Sequence, residues 1–506
     1  MPKITEIARI VQLFGKASVP GTMGVLAKKA ITTPAFFVTS PPQRAFAAAQ
    51  QYVRPGITPC LEPHEFFNRR QECQDVETVL NSTPQISLFL GPPNSGKTTL
   101  LQHVLSQMVQ SWQRPVLHLD LRGVSFHTPE ELYRVLAKES PGWLHRMHAG
   151  LPNVSVKANV KEPFGCGADF EVDLFQKTIE TVAVGKDNSA DKLNVVFDAI
   201  DRALPARSLL WGKNNPVLFI DEANRLKVLL QDNPKEGNKV LSTLFEWLVQ
   251  KTKQQNRFHV MLGSSSSFFH LWVSRYMQQG QYESYVIGDL TREEAKRYWE
   301  EQILTQPDWK ECQSPNFKMA YEVCGGNIMY LRKFALQWKL NRGQLQCEEF
   351  SLVRQENMRL YRACNTPDYF ARTFMQWYED PESVGKKPVL WTKELFLEIA
   401  QRLVSSPEGF LAYEPLCDEF NEDVINSLIK YHLLHLRPNK EFGYDLPSAP
   451  KNAAVVTAMS PSARYAMKLL LQEHGVLPTP TEESEKVETD IIAETAKEAP
   501  TPSMRP

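Results

Sequence analysis

Apolar runs of strand length alternate with helix-spaced apolar residues along the first half of this 506-residue chain. The runs lie at 86–90, 114–123, 216–220 and 257–263, and helical periodicity appears in the segments between them. Strands that are apolar on both faces and alternate with helices are typical of a parallel sheet covered by helices on both faces. We therefore expect an α/β core over 59–288.

The first apolar run leads directly into a glycine-framed turn. Residues 91–98 match the pattern G-x-x-x-x-G-K-[ST] of P-loop NTPases at every fixed position. Gly91 and Gly96 let successive backbone N–H groups turn inward around a triphosphate. Lys97 would reach the outer phosphates, and Thr98, first in the following helix, would offer its hydroxyl to Mg²⁺. The predicted nucleotide-binding residues of this loop are Gly91, Pro92, Pro93, Asn94, Ser95, Gly96, Lys97, Thr98 and Thr99.

Two carboxylates follow the apolar run at 216–220. A buried strand brings Asp221 and Glu222 to its carboxyl end, which is the edge where ligands bind in open α/β sheets. Phosphoryl transfer depends mostly on positioning and charge stabilisation and needs one group on the nucleophile. We therefore expect Asp221 to hold Mg²⁺ and Glu222 to orient and polarise the attacking water.

With these motifs in place, the stretch of about 62–345 resembles the archaeal-type ATPases of the AAA+ and STAND group. The family has a phenylalanine and arginine segment near the adenine, just ahead of the phosphate loop. That place is occupied here by Phe66, Phe67, Arg69 and Arg70. The resemblance therefore implies a nucleotide contact from Arg69. It also implies a sensor role for Ser264 or Ser265, which would contact the γ-phosphate or the attacking water. The expected catalytic set is Glu222, Lys97 and Ser264.

Two further motifs resemble the helical lid of this family, which we expect over 289–345. Thr291 and Glu294 have the spacing of a capping box that starts a helix. Residues 325–328 resemble the lid motif Gly-Gly-Asn-Pro, with Ile328 in place of the usual proline, which predicts a less rigid helix start. Such ATPases often complete their site with an arginine, and the candidates here are Arg275, Arg297 and Arg332.

The segment 346–475 has the order of elements of a winged-helix domain. Helical periodicity at 391–405 and 422–431 precedes two short apolar runs, at 433–437 and 442–446, that predict a hairpin. The helix in the position of a DNA-reading helix carries a single lysine. We therefore expect a packing or regulatory module rather than a nucleic-acid reader.

Three segments stand apart by composition. The only acid within residues 1–49 is Glu6, and this acid-poor, cation-bearing composition matches a mitochondrial transit peptide over 1–58. A plastid address and a mobile arm on a cytoplasmic protein are the alternatives. Alternating residues at 150–176 predict an inserted hairpin. The segment 476–506 is rich in Pro, Thr and Glu, and we expect it to be disordered.

Composition narrows the possible partners only slightly. The formal net charge of −1 offers no global electrostatic support for a nucleic-acid partner. The 8 cysteines are scattered without a C-x-x-C pair, which favours free thiols over a zinc site or a disulfide framework. No apolar run reaches the roughly 18 residues of a membrane span.

Together these features predict an ATP-binding and ATP-hydrolysing switch or motor that uses Mg²⁺. It would act on an unidentified macromolecular partner, and a homo-oligomer is one possible assembly. A P-loop kinase or transferase would share the phosphate loop, and a nucleotide-stabilised scaffold would show little turnover. The pair Asp221 and Glu222, the lid and the winged helix favour the ATPase. The sequence contains no Asn-Lys-x-Asp guanine-reading motif, which favours ATP over GTP.

Overall fold

The computed structural model describes residues 66–112, 114–122, 128–149, 189–204, 215–306, 309, 314–377 and 389–478. The predicted transit peptide (1–58), the inserted hairpin (150–176) and the tail beyond 478 lie outside the described residues. Within these ranges, no helix is both long enough and apolar enough to cross a membrane.

Strands and helices alternate through the core. In order they are α1 (Arg70–Leu80), β1 (Ile86–Leu90), α2 (Lys97–Trp112), β2 (Val116–Asp120), α3 (Pro129–Ala149), α4 (Ser189–Ala203), β3 (Val217–Asp221), α5 (Pro234–Val249), β4 (His259–Gly263), α6 (Phe269–Val273) and β5 (Tyr282–Val286). A 3-10 helix, Ala223–Leu230, follows β3.

Helices then continue through the lid into a second, smaller sheet. The lid and its connection contain α7 (Arg292–Tyr298), α8 (Phe317–Cys324), α9 (Ile328–Leu340), α10 (Ser351–Asn365) and α11 (Pro367–Trp377). The C-terminal part contains α12 (Lys393–Ser405), β6 (Phe410–Ala412), α13 (Tyr413–Phe420), α14 (Glu422–Lys430), β7 (Leu434–Arg437), β8 (Val455–Ala458) and α15 (Pro461–Glu473).

The first five strands form one parallel sheet in the order β2-β3-β4-β1-β5. Ile86 of β1 lies opposite Val260 of β4 and Tyr282 of β5. Because all the strands run in the same direction, the carboxyl ends of β1, β3 and β4 meet at one edge of the sheet. The predicted parallel α/β sheet is confirmed. No apolar run in the sequence indicates β5, one of the two edge strands. Most of its residues are only partly buried or exposed, so they need not be apolar.

Helices cover both faces of this sheet. On one face, Leu88 and Ile220 belong to a core that includes residues of α3, α4 and α5. On the other face, Phe89 and Phe219 belong to a core that includes residues of α1 and α2. Neighbouring residues of one strand point to opposite faces. Strands that are buried on both faces must therefore be apolar throughout, as the sequence indicated.

The lid has a core of its own, formed by α7 to α9 and the start of α10. Its predicted capping box is confirmed, because Thr291 Oγ1 accepts from Glu294 N at 3.3 Å and Thr291 N donates to Glu294 Oε2 at 3.1 Å. Among the arginine candidates, Arg332 lies over the ring of Tyr298 inside the lid. This contact holds Arg332 within the lid itself.

The C-terminal sheet is antiparallel, in the order β6-β8-β7. With α12 before β6, and α13 and α14 between β6 and β7, this is the arrangement of a winged helix. The predicted hairpin partner was wrong, because β7 pairs with β8 and not with 442–446. That apolar run lies in the wing, residues 438–454, where Phe442 stacks on Tyr285 with ring centroids 4.5 Å apart. Glu441 O also accepts from Val286 N at 2.6 Å, so the wing lies along β5.

Candidate functional site

The phosphate loop joins β1 to α2 in a conformation that requires glycine at both of its ends. Gly91 has φ +149°, and a Cβ on it would lie 2.1 Å from the carbonyl oxygen of Ile287. Gly96 has φ +83°, a region that L side chains rarely adopt. Of the predicted loop residues, Pro93 and Asn94 are exposed, Gly96, Thr98 and Thr99 are half-buried, and Gly91, Pro92, Ser95 and Lys97 are buried.

Lys97 lies buried at the base of the loop. Its ammonium donates to the carbonyl oxygens of Gly91 at 2.9 Å and Pro92 at 2.8 Å. Burial lowers the pKa of Lys97 to about 8, against the opposing effect of the Glu222 and Asp221 carboxylates. A buried ammonium whose short contacts are to neutral carbonyl oxygens fits an anionic ligand such as a phosphate.

Thr98 and Asp221 meet at the edge of the sheet, and Thr98 Oγ1 donates to Asp221 Oδ2 at 2.9 Å. Gly263 permits this approach, because a Cβ there would lie 2.9 Å from Asp221 Oδ1. The same Asp221 Oδ2 accepts from Arg122 Nη2 at 2.8 Å, so these oxygens already receive a cationic group. No cluster of three or more His, Cys, Asp or Glu side chains suited to a metal occurs in the described ranges. A carboxylate and a hydroxyl oxygen 2.9 Å apart are nevertheless a donor set that fits Mg²⁺, which commonly takes one or two protein ligands and completes its shell with phosphate oxygens and water.

Glu222 follows β3 directly, and its side chain is 18% exposed. Ser265 Oγ donates to Glu222 Oε2 at 3.4 Å. The Ser264 hydroxyl instead donates to Asn224 Oδ1 at 3.1 Å and accepts from Ser266 N at 3.1 Å. Successive residues of an extended chain point in opposite directions. The structure therefore places Ser265, and not Ser264, against Glu222, and the sensor role expected of one of the two serines stays a prediction.

Arg69 stabilises the phosphate loop through hydrogen bonds to backbone carbonyl oxygens. Its Nη2 donates to Ser95 O at 2.6 Å and to Gly288 O at 2.9 Å, which ties the loop to the residues after β5. Its Nη1 is buried 3.8 Å from Glu72 Oε1 and makes no hydrogen bond to any residue that the structure describes. The structure thus shows Arg69 as a support of the loop, and the nucleotide contact implied by the resemblance stays a prediction.

The lid motif contacts the phosphate loop without the usual proline. Asn327 Nδ2 donates to Asn94 O at 2.9 Å and to Asp289 Oδ1 at 3.1 Å. Asn327 Oδ1 accepts from Tyr330 N at 3.2 Å and so caps α9. Burial, together with the neighbouring Asp445, raises the pKa of Asp289 to about 6. The side chain of Asn327 thus connects the lid to the phosphate loop and to Asp289, which lies between β5 and the lid.

The C-terminal domain places His435 of β7 within electrostatic range of Lys97 in the phosphate loop. The imidazole is buried, and neither ring nitrogen has a hydrogen-bond partner among the described residues. Burial lowers the pKa of His435 well below its usual range, and the positive charges of Arg437 and Lys97 lower it further. A neutral imidazole within electrostatic range of Lys97 fits a ligand that can offer it a hydrogen bond.

Sequence reasoning missed three residues at this site, namely Arg122, Asn224 and His435. A signal existed for Arg122, because it follows the acid that ends β2, and residues after parallel strands share one edge of the sheet. Asn224 likewise follows the acids that end β3. No sequence signal pointed to His435, because it belongs to a different sheet far along the chain.

Comparisons with known proteins agree with this geometry. A family model described as an ATPase domain predominantly from Archaea matches residues 66–334, more than half of the chain. The chain is similar to two uncharacterized ATP-binding proteins of Methanocaldococcus jannaschii. One is 22% identical over 74% of this chain and 92% of the relative. The other is 23% identical over 74% of this chain and 91% of the relative.

A search of solved structures matches the chain to a Walker-type ATPase of Pyrococcus abyssi, with a TM-score of 0.44, 14% identity, and coverage of 82% of this chain and 99% of that chain. Cdc6p from Pyrobaculum aerophilum has a TM-score of 0.33, 13% identity, and coverage of 84% of this chain and 98% of that chain. The family match confirms the resemblance to archaeal-type ATPases. The chain belongs to the family of ATPase domains that come predominantly from Archaea.

Proposed function

We propose that this chain binds ATP with Mg²⁺ and hydrolyses it, and that the bound nucleotide controls the C-terminal winged helix. The observation that carries the proposal is the 2.9 Å hydrogen bond from Thr98 to Asp221, formed beside Lys97 and Glu222. One edge of the sheet then carries three kinds of group. They are the Lys97 ammonium for the phosphates, the oxygens of Thr98 and Asp221 for the metal, and the Glu222 carboxylate for the attacking water. Phosphoryl transfer to water requires this combination.

Each group has a separate role in this proposal. The loop backbone at 91–96 and Lys97 would hold the phosphates, and Thr98 and Asp221 would hold Mg²⁺. When bound, the metal neutralises charge on the phosphate oxygens. Glu222, which receives the Ser265 hydroxyl, would accept a hydrogen bond from the attacking water and take its proton.

The contacts of the winged helix favour a switch over a motor. Leu436 N of β7 donates to Ser267 Oγ at 3.3 Å, in the loop that follows β4 and carries Ser265. His435, on the same strand, lies near Lys97, and the wing lies along β5. A change in the nucleotide that moves Ser265 or Lys97 would therefore act directly on this domain.

A protein partner suits this domain better than nucleic acid. The first turn of α14, the helix in the DNA-reading position, carries Glu422 and Asp423. The wing, which commonly contacts DNA in nucleic-acid-binding winged helices, is engaged with β5 through Glu441 and Phe442. Negative charge on α14 would repel a phosphate backbone. We therefore propose that the winged helix transmits the nucleotide state to a protein.

Two substitutions in the full-length chain test the ATPase. Lys97→Ala should lose measurable binding of a fluorescent ATP analogue in the presence of Mg²⁺, because the phosphates lose their buried counter-charge. Glu222→Gln should keep that affinity and lose phosphate release by about 100-fold or more, the usual range for a general base. Lys239→Ala, which removes an exposed lysine of α5, is the control and should change neither quantity. Micromolar affinity in Lys97→Ala or normal phosphate release in Glu222→Gln would contradict the proposal.

The same assay separates the alternatives. An ATPase releases ADP and inorganic phosphate in equal amounts without any acceptor. A kinase or transferase would need an acceptor and would release no inorganic phosphate. A nucleotide-stabilised scaffold would bind ATP and show a raised melting temperature with no product.

A further inference from the structure

Arg122 holds the oxygens that would bind the metal. Its Nη2 lies 2.8 Å from Asp221 Oδ2 and 3.4 Å from Thr98 Oγ1. Its Nη1 lies 3.7 Å from Glu222 Oε1. One guanidinium therefore contacts both members of the metal-binding pair and also the carboxylate assigned to the attacking water.

The two partners of the Arg122–Asp221 ion pair differ in burial. The Asp221 side chain is 4% exposed, and a carboxylate this buried needs a charged or hydrogen-bonded partner. The Arg122 side chain is 49% exposed, so it can leave without rearranging a core. The neighbouring carboxylates raise the pKa of Arg122 despite its partial burial.

Asp120 keeps Arg122 at the site. Asp120 Oδ1 accepts from the backbone nitrogen of Arg122 at 2.9 Å, which fixes the turn after β2. The same oxygen accepts from Arg122 Nε at 3.3 Å. The backbone contact holds the Cα of Arg122 in place, so rotation of its exposed side chain can move the whole guanidinium away from Asp221.

We propose that Arg122 is a built-in counter-ion that competes with the divalent cation for Asp221 and Thr98, and so sets the metal concentration that nucleotide binding needs. The inference rests on the proposed ATPase site. A divalent cation bound to Asp221 Oδ2 and Thr98 Oγ1 would lie beside the Arg122 guanidinium, which contacts the same two oxygens, and the two cations would repel each other. Metal binding must therefore overcome this repulsion or displace Arg122, and either cost is subtracted from the metal affinity.

Titrations of the full-length chain with metal test this competition. Mn²⁺ binding is followed by electron paramagnetic resonance, first with Mn²⁺ alone and then with ADP. Arg122→Gln should lower the half-saturating Mn²⁺ concentration by about tenfold, the equivalent of about 1.4 kcal/mol. Arg122→Lys should give a smaller shift, because an ammonium keeps the charge without the planar fork.

Two controls isolate the contact from general electrostatics. Arg134→Gln removes an exposed arginine of α3 that pairs with Glu130 at 3.7 Å, and it should leave the titration unchanged. A contact effect should persist in about 1 M salt, where the screening length falls to about 3 Å. A shift that disappears at high salt, or an Arg122→Gln titration equal to wild type, would overturn the inference.

The outcome also distinguishes the two proposals. If wild-type protein binds Mn²⁺ with ADP and Asp221→Asn does not, the site stands, and the Arg122 variants alone decide the inference. If neither metal nor nucleotide binds to wild-type protein at any concentration tested, the proposed function fails and the inference fails with it.

Discussion

Replacing Asp445 with asparagine should loosen the wing from β7. Asp445 accepts two hydrogen bonds of 2.8 Å from the Arg437 guanidinium, and the two side chains are 9% and 8% exposed. Removing one partner of a buried ion pair leaves an uncompensated charge and costs about 3–5 kcal/mol. Asp289 also interacts electrostatically with Arg437 and would compensate part of its positive charge in the variant. We therefore expect the lower end of the range, about 3 kcal/mol.

Native-state hydrogen exchange is the appropriate assay, because a chain with several cores need not unfold in one step. In Asp445→Asn, the amides of β7 and β8 should exchange about 100-fold faster, the equivalent of about 3 kcal/mol. The amides of β1 should keep their protection. Asp418→Asn, at an exposed position of α13, is the matched control and should exchange like wild type.

A double variant shows whether the ion pair itself causes the effect. Arg437→Met combined with Asp445→Leu removes both charges of the pair, so protection should recover toward wild type. A loss below about 1 kcal/mol in Asp445→Asn would refute the reasoning, since it is smaller than the usual cost of breaking a buried pair. Equal losses in the single and double variants would refute it as well.

Two other predictions concern the lid junction and the sensor. Burial raises the pKa of Asp289 from 3.8 to about 6, so the folded state binds its proton more tightly, and stability falls as pH rises between these values. Asp289→Asn should remove that fall from the free energy of unfolding, and an unchanged pH profile would count against it. Ser265→Ala should slow phosphate release about tenfold, the value of one hydrogen bond, without weakening ATP binding. Exposed Ser274→Ala is the control, and a normal rate in Ser265→Ala would exclude the sensor role.

The phosphate loop, the buried strands and the helix caps could be predicted because their signals are local. The conformations of Gly91 and Gly96 are requirements of single residues, and the capping box of Thr291 and Glu294 spans one helical turn. A strand buried on both faces must be apolar throughout, wherever its neighbours lie. These features do not depend on what the rest of the chain does.

The tertiary structure alone decided which residues surround the site. The apolar run at 442–446 is compatible with a strand, but Phe442 packs on Tyr285 of a distant strand, and so β7 pairs elsewhere. The choice between Ser264 and Ser265 depends on the direction of one side chain at the end of β4.

Arg122 and His435 belong to elements that are separate from the phosphate loop, and they reach the site through the order of strands and the docking of the winged helix. Local patterns carry no record of strand order or domain docking, because both depend on contacts between residues far apart in the chain. The sequence by itself therefore determined the phosphate-binding chemistry. Only the folded chain decided which groups from distant segments lie beside it.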